Sequence, residues 1–385
     1  MKRSSDRILT THAGSLPRPV DLLQMIRAKS RGEAVDDAAL SARLKTAVGE
    51  IVHKQAGLGI DVIDDGEFGK PSFVTYVRDR LGGISVKEGQ RKTPWLGSRE
   101  ALAFPEFYQA QVTASGGARH PLLAVTGPIT YRGQKQLQAD LDNLKAALKG
   151  VDVAEVFVPS ISPSTVEDWF VNEHYKSEED YVVAIGEAMR EEYKAIIDAG
   201  FILQIDDPRL VTWYIIHPEA SIEECRRWAQ ARVDALNHTL RGLPPEKIRY
   251  HTCYGINMGP RLHDMEVKHL LDIILKIKAG AFSFEASNPR HEHEWTVWKS
   301  AKLPDGAILI PGVISHSTVL VEHPELIAQR IRRYTDFMGR ENVIAGSDCG
   351  FATFAGSDEV HASIVWAKFE ALAQGARLAS KELWG

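Results

Sequence analysis

Two side chains that bind transition metals stand two positions apart near the middle of the chain, His251 and Cys253 in the segment HTCYG. The apolar residues before them predict a β-strand, and residues i and i+2 of a strand point to the same side of a sheet. Their imidazole and thiol groups are therefore expected to point at one position. Two further residues end strand-like segments, Glu285 in AFSFE and Cys349 in VIAGSDC. Two thiolates, one imidazole and one carboxylate are a ligand set that suits zinc.

The third cysteine, Cys225, lies in the helical-looking segment SIEECRRWAQARVDAL and is interpreted as a small buried apolar side chain. Three scattered cysteines do not predict a disulfide framework. They favour a reducing compartment, and we expect a cytoplasmic protein.

The charge and composition of the chain limit the classes of partner that it is expected to bind. The chain has 385 residues and a net charge of −5, and it contains no long basic block of the kind that binds nucleic acid. It has no apolar run of about 18 residues that would span a membrane, and its first residues lack the apolar stretch of a signal peptide. We expect small-molecule partners rather than nucleic acid or a membrane, and the sequence is compatible with a homo-oligomer.

Strand-like segments alternate with helical patterns, which predicts parallel strands joined by helices. At this length an eight-stranded α/β barrel, a (β/α)8 TIM-type barrel with insertions, is the first choice and a doubly wound open sheet the second. Nine candidate strands are one too many for the barrel, and VFVPSIS, in a region rich in Pro and Ser, is expected to lie outside it. The nine segments are ILTTHAGS, DVIDDGE, LLAVTGPIT, VFVPSIS, FILQIDDP, IRYHTCYG, AFSFEASN, AILIPGVIS and NVIAGSDCG.

The chain is interpreted as one barrel domain of residues 1–385 with two insertions. Residues 70–120 carry Gly, Pro and charges without helical period and predict a β-rich flap over the barrel mouth. Residues 151–176 form the second predicted insertion. Most strand candidates end in polar residues, as the active sites of such barrels require; these are His12, Glu67, Thr130, Asp206, His251, Glu285 and Cys349.

At this point the motifs resemble a known family. HTCYG, FEASN and SDCGF, with THAGSLPRP, DDGEF, TGPIT and QIDDP, resemble the catalytic barrel of cobalamin-independent methionine synthase, from about Thr10 to the C-terminus. Within that superfamily, QIDDP, NPRHEHEW, PGVISHS and VEHPE are similar to a single-barrel branch that includes epoxyalkane:coenzyme M transferases. The resemblance implies a (β/α) barrel and a zinc ion that activates a thiol.

The resemblance also implies roles for individual residues. Glu67 and Asp206 fall where the family binds the amino group of homocysteine, and Ser15, in the AGS segment, falls where it binds the carboxylate. From the residues alone, the two carboxylates could instead be salt-bridged, with Arg18, Lys70 or Arg209 as partners. The zinc ligands that the resemblance implies are His251, Cys253, Glu285 and Cys349.

Three departures concern the methyl donor. Full-length synthases of this type carry a second, N-terminal barrel that the sequence does not contain, and residues 151–176 look inserted. The chain reads YRGQKQ after TGPIT, without the tryptophan that the family uses near its folate. The resemblance therefore supports thiol activation more directly than folate as the alkyl donor.

A leaving group needs a proton, and His316 in PGVISHS is the predicted general acid, with His12 as the reserve. A structural hydrogen bond is the alternative for His316. The segment from His291 to Glu294 reads HEHE, which suggests either a second metal site or residues that fix the loop after the Glu285 strand.

The leading hypothesis is a zinc-dependent thiol alkyltransferase that moves a methyl group to homocysteine or a similar small thiol through a zinc-bound thiolate. The alternative is a transferase that opens an epoxide with a small thiol such as coenzyme M. Two hypotheses from other classes are a zinc hydrolase and a closed structural zinc site. A sulfonate thiol would need cations, for which Arg18, Lys70, Arg209 and Arg261 are available.

Overall fold

Eight parallel strands form a closed barrel in the computed structural model of the chain, which describes residues 1–91, 94–114, 120–255, 259–356 and 360–385. The strands along the chain are β1 (Leu9–Thr10), β2 (Val62–Ile63), β3 (Leu81–Arg91), β4 (His120–Tyr131), β5 (Glu155–Ile161), β6 (Val171–Asn172), β7 (Ile202–Asp206), β8 (Ile248–Thr252), β9 (Ala281–Phe284), β10 (Ile308–Ile314) and β11 (Ile344–Ser347). Around the barrel the order is β1, β2, β5, β7, β8, β9, β10 and β11. The pairing of Thr11 with Val62 closes the ring between β1 and β2.

Helices cover the outside of the barrel, and several begin at side chains that accept hydrogen bonds from the first free N–H groups. Asp36 accepts from Ala38 N and Ala39 N, and Ser221 and Glu224 cap each other's backbone. The helices are α1 (Val20–Ser30), α2 (Asp37–Gly57), α3 (Val77–Arg80), α4 (Arg99–Ala103), α5 (Pro105–Ala114), α6 (Gln134–Ala147), α7 (Pro163–Trp169), α8 (Glu178–Asp198), α9 (Arg209–Ile216), α10 (Ile222–Thr239), α11 (Leu271–Ile274), α12 (Trp295–Ser300), α13 (Pro324–Met338) and α14 (Ala362–Trp384).

The predicted barrel is confirmed, but the strand that was expected to lie outside it was chosen wrongly. VFVPSIS forms β5 and pairs with β2 and β7 inside the barrel, so residues 151–176 are not an insertion as a whole. Pro159 misled the prediction, because proline is rare inside sheets. Only Glu155 and Val156 pair with β2, and the Pro159 carbonyl accepts a hydrogen bond from Lys70 Nζ at 2.6 Å.

The extra strand is the segment LLAVTGPIT, which belongs to a separate three-stranded sheet. It lies in β4, which pairs with β3 in antiparallel and with β6 in parallel orientation. TGPIT therefore lies within β4 and not at the end of a barrel strand, so Thr130 does not belong to the row of barrel strand ends. Residues 92–93 and 115–119 of the predicted flap lie outside the described residues.

A guanidinium group fills part of the barrel interior. Arg249 on β8 is only 1% exposed, and it donates to Gln204 Oε1, to the His12 carbonyl and, at 3.0 Å, to Thr11 Oγ1. It also lies 3.7 Å from the ring centre of Phe157 on β5. Burial lowers the pKa of Arg249 to about 9, so the side chain stays charged at pH 7. One side chain thereby connects β1, β5, β7 and β8.

In the part of the chain that the structure describes, no helix is long and apolar enough to cross a bilayer.

Replacing Arg249 by methionine tests this connection. The Arg249→Met variant leaves three buried acceptors without their donor, and we expect it to lower the free energy of unfolding by at least about 3 kcal/mol, since each unsatisfied buried group costs about 1–3 kcal/mol. The matched control is Arg7→Met, since Arg7 is half exposed and pairs with Asp61 at the surface; it should cost less than about 1 kcal/mol. Urea unfolding followed by circular dichroism measures both, and equal losses would contradict the special role of Arg249.

Candidate active site

The carboxyl ends of the barrel strands bring the predicted site residues together. Asp206 on β7 is the register partner of His251 on β8, so the two side chains leave neighbouring strands at the same level. Cys253 and Glu285 directly follow β8 and β9, and Cys349 lies two residues beyond β11. Residues that are scattered over the sequence thus meet at one rim of the barrel, as expected for this fold.

His251, Cys253 and Cys349 form a compact group of metal-binding atoms. One ligand atom from each lies within 4.8 Å of the other two, and the two sulfur atoms are 3.0 Å apart. His251 Nδ1 lies 3.1 Å from Ser283 Oγ, whereas its Nε2 is buried and without a hydrogen-bond partner among the described residues. An imidazole held at one nitrogen and unpaired at the other is oriented as metal-binding histidines are.

The electrostatics of the two cysteines also fit a cation. Hydrogen bonding to Cys253 and burial raise the pKa of the Cys349 thiol well above its usual range. Two adjacent thiolates are unfavourable in a buried site unless a positive charge balances them. A divalent metal reverses this preference, because coordination deprotonates a thiol. The donor set of one imidazole and two thiols, with an unpaired imidazole nitrogen, therefore fits a zinc ion.

Glu285 lies beside this group, but its carboxylate already has protein partners. Its Oε1 accepts a hydrogen bond from Tyr254 N at 2.8 Å and its Oε2 accepts from Asn288 Nδ2 at 3.0 Å. Arg261 Nη1 is 3.5 Å from Oε2. Burial acts to raise the pKa of Glu285, but Arg261 and other neighbours outweigh burial and lower it below the ordinary value. The role of Glu285 as a fourth zinc ligand stays a prediction.

His316 lies two residues beyond β10, on the same rim. Both of its ring nitrogens are buried and lack a hydrogen-bond partner among the described residues. Burial lowers the pKa of His316 to about 4, although the charge of Glu285 opposes this shift, so the ring is neutral at pH 7. Leaving a buried imidazole unpaired costs free energy, which is consistent with a group whose partner is a ligand.

His12, the reserve acid, uses both of its ring nitrogens within the protein. Nδ1 accepts a hydrogen bond from Gly14 N at 3.1 Å, and Nε2 lies 2.7 Å from Gln55 Oε1. Since Nδ1 accepts a hydrogen bond, Nε2 carries the proton and donates a hydrogen bond to Gln55 Oε1. Burial lowers the pKa of His12 to about 3, so this tautomer persists at neutral pH. These contacts hold the turn after β1 and leave no ring nitrogen for a substrate.

Glu67 and Asp206 form an acidic pair at the rim. Burial and the negative charge of Glu67 raise the pKa of Asp206 well above its ordinary range, and Gln204 Nε2 donates to Asp206 Oδ1 at 2.7 Å. Glu67 is also salt-bridged, since Lys70 Nζ lies 3.1 Å from its Oε2. The alternative interpretation with Lys70 as partner is thus correct for Glu67, and binding of a substrate amine by this pair stays a prediction.

Ser15 lies where the turns after β1 and β11 meet. Its carbonyl accepts from Phe351 N at 2.8 Å, and its Oγ lies 3.4 Å from Ala352 N. A methyl group on Gly350 would come within 2.1 Å of Ser15 Oγ, so glycine allows this approach directly after Cys349. Ser15 therefore lies against Gly350, the residue after Cys349, and its contact with a substrate carboxylate stays a prediction.

The segment from His291 to Glu294 fixes a loop. His291 Nδ1 lies 2.9 Å from Glu294 Oε2 and its Nε2 lies 3.1 Å from Asp264 Oδ2, while its ring stacks on Tyr254 at 3.6 Å between centres. Burial opposes protonation, but these two carboxylates outweigh it and raise the pKa of His291 to about 9. Over the described residues, the only candidate metal group is the one at His251.

The arginines that could bind a sulfonate are occupied by protein groups to different degrees. Arg18 donates to the carbonyls of Ala352, Glu67 and Lys70, and Arg261 donates to the Gly255 carbonyl at 2.7 Å. Arg209 pairs with Asp168 at 2.5 Å through Nη2 only, and its Nε and Nη1 are buried without a hydrogen-bond partner among the described residues. Binding of a sulfonate by these residues stays a prediction.

A pocket of about 300 Å³ opens next to Glu285. Its lining includes Arg261 and Asn288, which both contact the Glu285 carboxylate, and Ser317, which follows His316. The pocket thus borders the surroundings of Glu285 and His316, although neither of these two residues lines it.

Two supporting positions were missed by the sequence analysis, although one rule could have found both. Arg249 and His251 on β8 and Cys253 directly after it stand two apart, so the i+2 rule that joins the ligands also places Arg249 on their face. Gln204 stands two residues before Asp206 in the same way. Lys70 was named as a possible partner of Glu67, although no spacing rule chooses it over Arg18 or Arg209.

Known proteins resemble the chain over most of its length. Residues 8–117 and 124–368 match the sequence model of the family described as the catalytic domain of cobalamin-independent synthase. Proteins named methionine synthase from Sulfolobus acidocaldarius and Sulfurisphaera tokodaii are 26% and 25% identical to this chain, and each match covers 89% of this chain and 85% of the relative. A B12-independent methionine synthase from Shewanella sp. W3-18-1, solved in complex with selenomethionine, shares the fold with a TM-score of 0.76 and 20% sequence identity. The match covers 98% of this chain and 99% of the Shewanella chain.

The metal prediction follows from the compact group of His251, Cys253 and Cys349. Purified protein should carry about one zinc ion per chain, and Cys253→Ser and Cys349→Ser should each lose most of it. Cys225→Ala is the matched control, because Cys225 is equally buried but lies in α10, outside the group. Elemental analysis of the variants measures the zinc content. Full zinc occupancy in both serine variants would show that the zinc ion binds elsewhere in the protein.

Proposed function

The chain belongs to the family of cobalamin-independent synthase catalytic domains, and from this premise we propose that it is a zinc-dependent thiol alkyltransferase. Membership supports a methyltransferase that acts on a small thiol, with homocysteine as the leading example. The observation that carries the proposal is the buried group of one unpaired imidazole nitrogen and two thiols at the rim of the barrel.

The type and distribution of the ligands separate this function from the alternatives. Zinc bound there would hold a substrate thiol as a nucleophilic thiolate at neutral pH. Sites that use zinc to activate water more often have histidine and carboxylate ligands. A structural zinc site usually takes pairs of ligands at short spacing, whereas Cys349 is about a hundred residues from His251 in sequence.

His316 suits proton transfer between the two reactants. Burial lowers its pKa to about 4, so the ring is neutral and only weakly basic at pH 7. A thiolate bound beside it would raise this pKa, and the ring would then take up the proton that the thiol releases. The resulting imidazolium can then donate this proton to the leaving group of the alkyl donor. The S–H bond and the bond to the leaving group break, the new S–C bond forms, and the proton ends on the leaving group.

The remaining groups of the rim orient the substrate. Glu67 and Asp206 are the proposed anchors for a cationic group, and Ser15 is the proposed anchor for a carboxylate. His12 orients the turn that carries Ser15, because its Nδ1 accepts from Gly14 N. The nature of the alkyl donor is proposed only as a carbon electrophile whose leaving group takes up a proton.

A screen of thiols and donors on zinc-loaded protein tests the function. Thiols should bind to the cobalt-substituted protein and produce the absorption bands of added sulfur ligation, and a methyl donor should yield the corresponding thioether by mass spectrometry. The Cys349→Ser variant provides the matched control and should do neither. Hydrolysis of simple esters or amides without any thiol-dependent spectrum would instead indicate a metal-activated water.

The role of His316 is tested with donors of graded leaving groups. His316→Ala should slow transfer from donors with poor leaving groups by about 10²–10⁴-fold, since a positioned acid contributes that much, and should affect good leaving groups less. His238→Gln is the control, because His238 is half exposed and pairs with Glu187 at the surface. An effect below about threefold across the series would remove His316 from the mechanism.

A further inference from the structure

The pocket of about 300 Å³ beside Glu285 lies where the loops after β8, β9 and β10 meet, and it offers mainly hydrogen-bond donors. Its described lining includes two guanidinium groups, an amide and a hydroxyl, from Arg261, Arg290, Asn288 and Ser317, and no carboxylate. Pockets of this size bind small molecules and recognise them through a few polar groups. The lining therefore suits a ligand group that consists of acceptor oxygens.

One wall of the pocket is held in a strained conformation. Arg261 has a backbone φ of 58°, in the left-handed region that residues other than glycine rarely adopt. The buried carboxylate of Glu100 in α4 fixes this conformation, because it accepts from Arg261 N at 2.9 Å and from His263 N at 2.8 Å. Strain of this kind persists only where surrounding contacts impose it, and it concentrates at ligand sites. The protein thus builds this wall before any ligand binds.

The two arginines of the pocket differ in their charge partners. Arg261 Nη1 lies 3.5 Å from Glu285 Oε2 and 3.7 Å from Asp264 Oδ2, so carboxylates balance its charge. Arg290 donates to the carbonyls of Arg261 at 3.2 Å and Leu262 at 3.4 Å, and it forms no ion pair with a carboxylate among the described residues. Carbonyl contacts orient a guanidinium group without balancing its charge. Arg290 therefore favours an anion in the pocket.

We propose that this pocket binds an oxyanionic group, a carboxylate, sulfonate or phosphate, on the leaving-group part of the alkyl donor, and that Arg290 recognises it. Position assigns the group to the donor. Ser317 in the lining directly follows His316, the proposed acid for the leaving group. Ser15 and Glu67, proposed anchors of the thiol, follow β1 and β2 on the other side of the ring from β9. The proposal rests on the thiol alkyltransferase function and adds the chemical class of the donor to it.

Two model donors that differ in one charge test the proposal. Methyl 4-carboxybenzenesulfonate carries an anionic group on its leaving part, and methyl 4-carbamoylbenzenesulfonate is its neutral counterpart. With either donor the homocysteine thiolate takes the methyl group, the C–O bond breaks and the arenesulfonate leaves without a proton, so the comparison does not depend on His316. The kcat/KM for each donor is measured on zinc-loaded protein at saturating homocysteine, after subtraction of the uncatalysed rate.

Variants of one exposed residue make the test specific. Arg290→Gln removes the charge, Arg290→Lys keeps it and Arg290→Glu reverses it. Arg132→Gln is the matched control, because Arg132 is also exposed and also donates to a carbonyl, that of Arg78 at 3.3 Å, but lies outside the lining of the pocket. Sulfate is the probe for a free anion, and its binding is measured by calorimetry and by inhibition.

The wild-type protein should prefer the carboxylate donor by about tenfold or more in kcat/KM, since one charge-assisted contact is worth that much. Arg290→Gln should bring the ratio of the two donors close to one, and Arg290→Glu should favour the neutral donor. Arg290→Lys should keep most of the preference, and Arg132→Gln should keep all of it. Sulfate should compete with the carboxylate donor in the wild-type protein but not in Arg290→Gln.

A donor ratio that Arg290→Gln leaves unchanged would overturn the proposal. Sulfate that binds without competing with the carboxylate donor would also overturn it, because the pocket would then hold only a free anion. In both cases formation of the thioether would still uphold the transferase function. If neither donor methylates any thiol and no thiol changes the cobalt spectrum, the transferase function falls, and the assignment of the pocket falls with it.

Discussion

The guanidinium group of Arg249 in the barrel interior is the contact on which the arrangement of the rim depends. It joins the Thr11 and His12 end of β1 to Gln204 on β7. Gln204 in turn donates to the Ala13 carbonyl and to Asp206 Oδ1, both at 2.7 Å. Strand β1 has only two residues, so side-chain contacts must fix much of its alignment with the rest of the barrel. A buried network of this kind specifies one geometry, because each unpaired member would be costly.

Charge balance at the rim follows from the same packing. Three cations lie near the acidic pair of Asp206 and Glu67, namely Arg249, Lys70 and Arg18. The two arginines donate their hydrogen bonds to carbonyl oxygens or neutral side chains. Glu67 contacts Lys70 directly, whereas Asp206 has no contact of this kind with a cation among the described residues, and burial and the charge of Glu67 leave it with a raised pKa.

Periodicity and strand-end position were sufficient to predict the barrel and the candidate metal group. The i+2 spacing of His251 and Cys253 survives in β8 because a strand alternates its faces whatever surrounds it. The choice between VFVPSIS and LLAVTGPIT failed, since Pro159 lies beyond the two residues that pair with β2, so its missing N–H removes no ladder hydrogen bond on that side. The partners of Glu285 were also hidden, because Arg261 and Asn288 reach it from loops whose path no local pattern encodes, and Lys70 was only one of three candidate partners for Glu67.

The surroundings of Glu285 bear on how a metal group of this kind could accept a substrate sulfur. His251 and Cys253 are held by β8, and Cys349 follows β11, so their positions are set by the barrel. Glu285 differs, because Tyr254 N, Asn288 and Arg261 offer its carboxylate hydrogen bonds or charge within the protein. A buried carboxylate with such partners is not an unpaired buried charge, which would otherwise cost several kcal/mol (about 3–5). Among the four predicted ligands, Glu285 is thus the one whose charge the protein already pairs, so His251, Cys253 and Cys349 are the residues that would hold a zinc ion most directly, and the ion would supply activation of a substrate thiol.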